Sequence, residues 1–100
     1  MKQVDLLNSV EATFKECLAI CQKKNADYSQ ADDAFKNLRT PELIGISAQR
    51  GILVRVLDKL TRLSNLLSRP PEVADESIED TARDIAVYMA LFIALNKDAK

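Results

Sequence analysis

Glu76, Asp80 and Asp84 recur at i, i+4 and i+8, and Tyr88 continues the same row. Residues four apart on a helix are neighbours, so this spacing puts three carboxylates and a phenol on one helical stripe. Like charges so placed repel by about a few tenths of a kcal/mol per pair. A compensating cation is therefore expected nearby: a metal ion, a basic partner helix, or a charged ligand held by both. Such carboxylates suit a hard divalent cation such as Mg²⁺, which takes a few carboxylates together with water and substrate phosphates. The bland alternative is a solvated face on which Glu79 and Arg83 form an i,i+4 pair. Asp84 and Tyr88 lie well inside the expected helix, beside apolar neighbours, which favours a shielded role for them.

A second row is basic. Arg55, Asp58, Lys59, Arg62 and Asn65 share one face of an upstream helix, with Arg50 before them. Arginine binds phosphate through two parallel hydrogen bonds, and lysine acts as a point charge. These cations either hold phosphates or pair with the acid stripe, and a phosphate–metal site would need both rows on facing helices. A third group, Lys23-Lys24-Asn25-Ala26-Asp27-Tyr28 with Phe35 beyond it, offers cations, an amide, an acid and two aromatics. In a loop these would suit stacking on a base and reading its edge. Turn chemistry explains Asn25 and Asp27 equally well, and core packing explains Phe35.

The composition narrows the chemistry. There is no histidine, which excludes Ser-His-Asp and Cys-His catalysis and most structural zinc sites. Proton transfer would fall to carboxylates, lysine or tyrosine. Cys17 and Cys21 sit four apart in an apolar helical pattern and read as buried free thiols of a reducing cytoplasm. The net charge is −1, so a polymeric nucleic acid is not an expected partner. No apolar run approaches the length of about 18 residues that a membrane span needs. A soluble cytoplasmic protein is expected, with no membrane partner.

The elements that must position these groups are helices. With 100 residues, few glycines and five aromatics, the chain suits one all-α domain over residues 1–100. Leu6, Leu7, Val10, Phe14, Cys17, Leu18 and Cys21 mark an apolar face of a helix from Val4 to Lys24. Residues Ala26–Ile46 read as irregular, with a short helix over Ala31–Leu38 and Thr40 capping a helix that opens on Pro41. A second helix runs from its N-cap Ser47 to Ser68, with a core stripe of Leu53, Val56, Leu57, Leu60, Leu63 and Leu67. Arg69-Pro70-Pro71 stops it. A third helix begins near Glu76, capped by Asp75 or Ser77, and runs to Asn96. Its apolar face is Ile78, Ala82, Ile85, Met89, Phe92 and Ile93, and the stretch Ala86–Leu95 is apolar nearly all round. Three helices offer too few partners for that surface. The expected fold is a bundle of three main helices completed by homo-oligomerisation.

The order Lys-Lys-Asn-x-Asp-Tyr (23–28), Phe35, Arg-x-x-Asp-Lys-x-x-Arg-x-x-Asn (55–65) and Glu-x-x-x-Asp-x-x-x-Asp-x-x-x-Tyr (76–88) resembles the nucleotide-modification-associated domain 1 family. Those are small helical proteins common in phage genomes. The family in turn looks like a distant relative of the all-α nucleoside triphosphate pyrophosphatases, the MazG and dimeric dUTPase group. The resemblance implies a phosphorylated nucleotide as ligand, with Lys24, Asn25, Asp27, Tyr28, Phe35, Arg55, Lys59, Arg62, Asn65 and Tyr88 around it. It implies Glu76, Asp80 and Asp84 as Mg²⁺ ligands. It also implies Asp58, Asp80 and Asp84 as the acids of a hydrolysis to monophosphate and pyrophosphate. MazG-type enzymes place Glu-Glu-x-x-Glu on one helix and Glu-x-x-Asp on the next. Here the middle helix offers Asp58 among cations, and Thr81 stands three before Asp84. That departure leaves open whether the chain is an enzyme. Two other readings stay in view: a non-catalytic sponge for a host signalling nucleotide, in the host cytoplasm if phage-encoded, and a helical adaptor with no small ligand.

Overall fold

The computed structural model describes residues 1–28, 35–69 and 71–98, and the side chains of 1–24, 35–69 and 77–98. Every regular element among them is helical: α1 (Gln3–Tyr28), a 3-10 helix (Lys36–Ile44), α2 (Ala48–Leu67) and α3 (Pro71–Asp98). The all-α expectation holds. Helix α3 is the shared partner, with α2 packed extensively along it and α1 crossing it more locally. The molecule is elongated, 43 × 29 × 25 Å with a radius of gyration of 15.5 Å, against about 13 Å for a compact domain of this length.

Helix ends follow from identifiable residues. Ser47 has an extended backbone, and its Oγ accepts from the Arg50 amide at 3.2 Å, so it caps α2 as expected. Helix α3 opens on Pro71 rather than near Glu76. Proline suits a first helical position, where its missing N–H costs nothing. Ser77 is thus interior, and its carbonyl accepts from the Thr81 hydroxyl at 2.7 Å. Helix α1 does not stop at Asn25 but continues through Tyr28. The segment Ala26–Tyr28, expected as irregular, is helical, and the proposed helix over Ala31–Leu38 falls mostly outside the described residues.

Thr40 does not cap a helix at Pro41, because both lie inside the 3-10 helix, where the Thr40 hydroxyl donates to the Asn37 carbonyl. That helix ends on Gly45, whose φ of 79° is left-handed. The amides of Gly45 and Ile46 return to the carbonyls of Glu42 and Pro41, both at 3.1 Å, a Schellman closure. The 3-10 helix lies on α2 at Gly51, where a Cβ would stand 2.6 Å from Pro41 Cγ. Glycine there permits a close approach that brings Leu38 into the core.

The core is small and rotated from the one that periodicity suggests. Its buried members are Leu38, Ala48, Ile52, Val56 and Leu95, with Phe35, Ile85, Tyr88, Leu91 and Phe92 packed against them. On α2 the buried edge is Ala48, Ile52 and Val56, while Leu53, Leu57, Leu60 and Leu67 are exposed. On α3, Thr81, Val87 and Leu95 are buried, and Met89 and Ile93 are not. On α1, Cys17 is buried, and every residue from Met1 to Glu16 is exposed. Both cysteines are free.

Candidate functional site

All three α-helices meet at Asp84. This residue sits on the stretch of α3 that contacts both neighbours, one turn before Tyr88. Its carboxylate lies 3.4 Å from Lys59 Nζ of α2 and 3.9 Å from Lys24 Nζ of α1. The Lys24 ammonium also stands 5.7 Å from the Tyr88 ring centroid, and the Arg55 guanidinium stands 6.0 Å from it. Cations attract the negative face of an aromatic ring at such distances. Helical register explains the convergence. Arg55 and Lys59 are four apart on α2, and Asp84 and Tyr88 are four apart on α3, so two matched turns face each other. Near its C-terminal end, α1 brings in Lys24.

The junction therefore holds three cations against one carboxylate and a phenol. Among the described residues, Arg55 has no carboxylate at ion-pair distance, and its partner is the Tyr88 ring. Lys24 and Lys59 share Asp84 and keep donors to spare. Side chains here are half-exposed, 47% for Lys24, 34% for Lys59 and 29% for Asp84, so an incoming ligand can reach them. The surplus positive charge and the free N–H groups suit an oxyanion, and phosphate above all. Tyr88 serves this site through the cations lying over its ring.

The acid stripe is divided. Asp84 turns to the lysines, whereas Asp80 accepts from Arg83 Nη1 at 3.0 Å. Arg83 also meets Glu79 at 3.4 Å and, on α1, Glu16 at 2.6 Å. The Glu16 hydrogen bond is the main reason that the Arg83 pKa rises above its already high value, with attraction to Glu16, Glu79 and Asp80 adding to it. Close by, Cys17 Sγ lies 3.9 Å from the Arg83 carbonyl. This cluster is a clasp between α1 and α3. Sequence spacing reveals its Glu79–Arg83 arm but carries no sign of Glu16, which is distant in the chain.

Two carboxylates of the expected magnesium set have cationic partners on view. Asp84 already faces two ammonium groups, Asp80 is held by Arg83, and Asp58 is exposed on α2. Among the described residues, no three Asp, Glu or Cys side chains converge on a point that could hold a metal ion. Of the expected metal ligands, Asp80 and Asp84 thus serve cations, and the Glu76 side chain lies outside the described ones. Among the described residues, Asp58, Asp80 and Asp84 do not make up a group that could hold a metal ion.

The remaining expected residues separate into three sets. Asp58, Arg62 and Asn65 line a second groove with Thr61, Leu66 and Arg69. Arg69 was not among the expected site residues, although it follows Arg62 by seven and so shares its face. Phe35 packs against the core, with the Arg39 guanidinium 5.8 Å from its ring. The side chains of Asn25, Asp27 and Tyr28 lie outside the described residues, although their backbone belongs to α1 rather than to a loop. Among the described residues no helix is long and apolar enough to cross a membrane. No family model, curated protein or solved structure matches this chain.

Proposed function

We propose that the chain binds a phosphorylated nucleotide, as a homo-oligomer, and seats its phosphates at the junction of Lys24, Arg55 and Lys59. The observation that carries this reading is the meeting of cations from two helices around a single carboxylate of a third. A phosphate entering there supplies the negative charge that one carboxylate leaves wanting. Charge-assisted hydrogen bonds of this kind contribute about 1.5–3 kcal/mol each. The surplus of cations over carboxylates supports an oxyanion as ligand. The nucleotide as its carrier comes from the likeness of the 23–28, 55–65 and 76–88 motifs to the nucleotide-modification-associated domain 1 family.

Binding without turnover is the better supported form of this proposal. Two of the carboxylates that a Mg²⁺-dependent pyrophosphatase would use, Asp80 and Asp84, are engaged by Arg83 and by Lys24 and Lys59. Sequestering an intact nucleotide needs the cations and no metal cage. Calorimetric titration with ATP in EDTA tests this, followed by denaturation and identification of the released ligand. Wild type should bind and release intact ATP. Arg55→Ala should weaken binding about 10- to 100-fold, as loss of about 1.5–3 kcal/mol requires. Release of a monophosphate would establish an enzyme instead. An adaptor with no small ligand is favoured by the exposed apolar rows of α1 and α2. It would be selected if no nucleotide bound to a well-folded protein.

A further inference from the structure

Two helical faces of this chain are apolar and unpartnered, and they match one another. The first is on α1. Helix α1 turns Cys17, Glu16 and Lys24 toward α3, which leaves Leu7, Val10, Phe14 and Leu18 outward, with Phe14 68% exposed. Everything from Met1 to Glu16 is exposed, and α3 meets this stretch at Thr13 and Glu16, so the turns before Thr13 form a projecting arm. An isolated helix shorter than about 12–15 residues is marginal in water, and this one carries its apolar residues on a single side. The second face is on α2. Ile52 and Val56 enter the core, and Leu53, Leu57, Leu60 and Leu67 form an adjacent exposed row, with Leu57 62% exposed.

Leu7–Leu18 and Leu53–Leu67 span about 17 and 21 Å at the helical rise, and both rows step by three, four or seven residues, as a helix-on-helix seam requires. The area agrees. The chain exposes 7539 Å², whereas a compact monomer of 11.2 kDa exposes roughly 5,700 Å². The excess, roughly 1,800 Å² per chain, is what an obligate dimer buries on each partner.

We infer that the occupant of both faces is a second copy of this chain, with the α1 arm of each protomer lying along the Leu53–Leu67 row of the other. The contact occurs twice across a two-fold axis, so it closes. It deepens the homo-oligomer reading above by naming the elements that meet, and it separates the interface from the Asp84 junction.

Light scattering on wild type and Phe14→Glu tests it, with circular dichroism to confirm helix content. Lysine cross-linking of a mixed ¹⁴N/¹⁵N sample identifies which elements meet. Wild type should have at least twice the 11.2 kDa chain mass, and Phe14→Glu should have the chain mass with its helices retained. Mixed-isotope cross-links should join Lys2 or Lys15 to Lys59. A monomeric wild type would overturn the inference and the oligomer reading together. A Phe14→Glu protein that keeps the wild-type mass would overturn the inference alone. So would mixed-isotope cross-links that never join α1 to α2, and this holds even if Phe14→Glu fails to fold.

Discussion

Replacing Asp84 by Asn distinguishes an anion site from a metal site by the sign of its effect. The carboxylate lies 3.4 Å from Lys59 Nζ and 3.9 Å from Lys24 Nζ, with 29% of its side chain exposed. Half-exposed pairs of this kind contribute about 0.2–1 kcal/mol each. Losing both should cost about 1 kcal/mol, equivalent to about 4–8 °C in Tm for a domain of this size. The three cations would then face each other with no acid between them. Binding should move the other way. In wild type a phosphate must compete with Asp84 for the same ammonium groups, and Asn cannot compete as strongly. Recovering about 1 kcal/mol of that competition raises affinity about fivefold. The variant should therefore be less stable alone and gain more from added ATP than wild type does. Thermal denaturation followed by circular dichroism, with and without ATP, reads both effects. If Asp84 instead served as a Mg²⁺ ligand, the variant would bind ATP more weakly in Mg²⁺. Weaker binding of ATP by Asp84→Asn in EDTA would refute the competition reasoning itself.

Three further variants probe the scaffold. Gly51→Ala gains about 1 kcal/mol of helix propensity but sets a Cβ 2.6 Å from Pro41 Cγ. Overpacking costs about 1–3 kcal/mol, so the variant should lose about 1 kcal/mol in urea denaturation, and a gain would show that the 3-10 helix does not press on α2. Ile52→Ala empties a site that is 1% exposed and should cost about 2–5 kcal/mol, at all protein concentrations. Ser47→Ala removes the acceptor for the Arg50 amide and should cost about 1 kcal/mol, measured the same way.

Much of the fold was legible because periodicity and cap residues act locally. Ser47 as N-cap, the end of α2 ahead of Pro70 and the all-helical class all follow from neighbouring residues. The buried face of α2 was not legible. Leu53, Leu57 and Leu60 form as good an apolar row as Ile52 and Val56, and sequence cannot tell a row that meets its own chain from one left for another surface. The same ambiguity misplaced the core of α1. At the site, register alone brings Arg55 with Lys59 and Asp84 with Tyr88, so those pairs were visible in advance. The division of the acid stripe was not, because it depends on Glu16 drawing Arg83 toward α1 and on where α1 crosses α3. Phe35 was open to two readings, stacking on a base or core packing, and the structure places it partly buried against the core.

The central claim is that cations of this chain, rather than a metal ion, hold the phosphates. The most direct measurement is the calorimetric affinity of wild-type protein for ATP in EDTA and again in excess Mg²⁺. Binding should be present in EDTA and no tighter in Mg²⁺, because a Mg²⁺ ion on the triphosphate neutralises charge that Lys24, Arg55 and Lys59 would otherwise meet. Binding that occurs in Mg²⁺ and vanishes in EDTA would contradict the account.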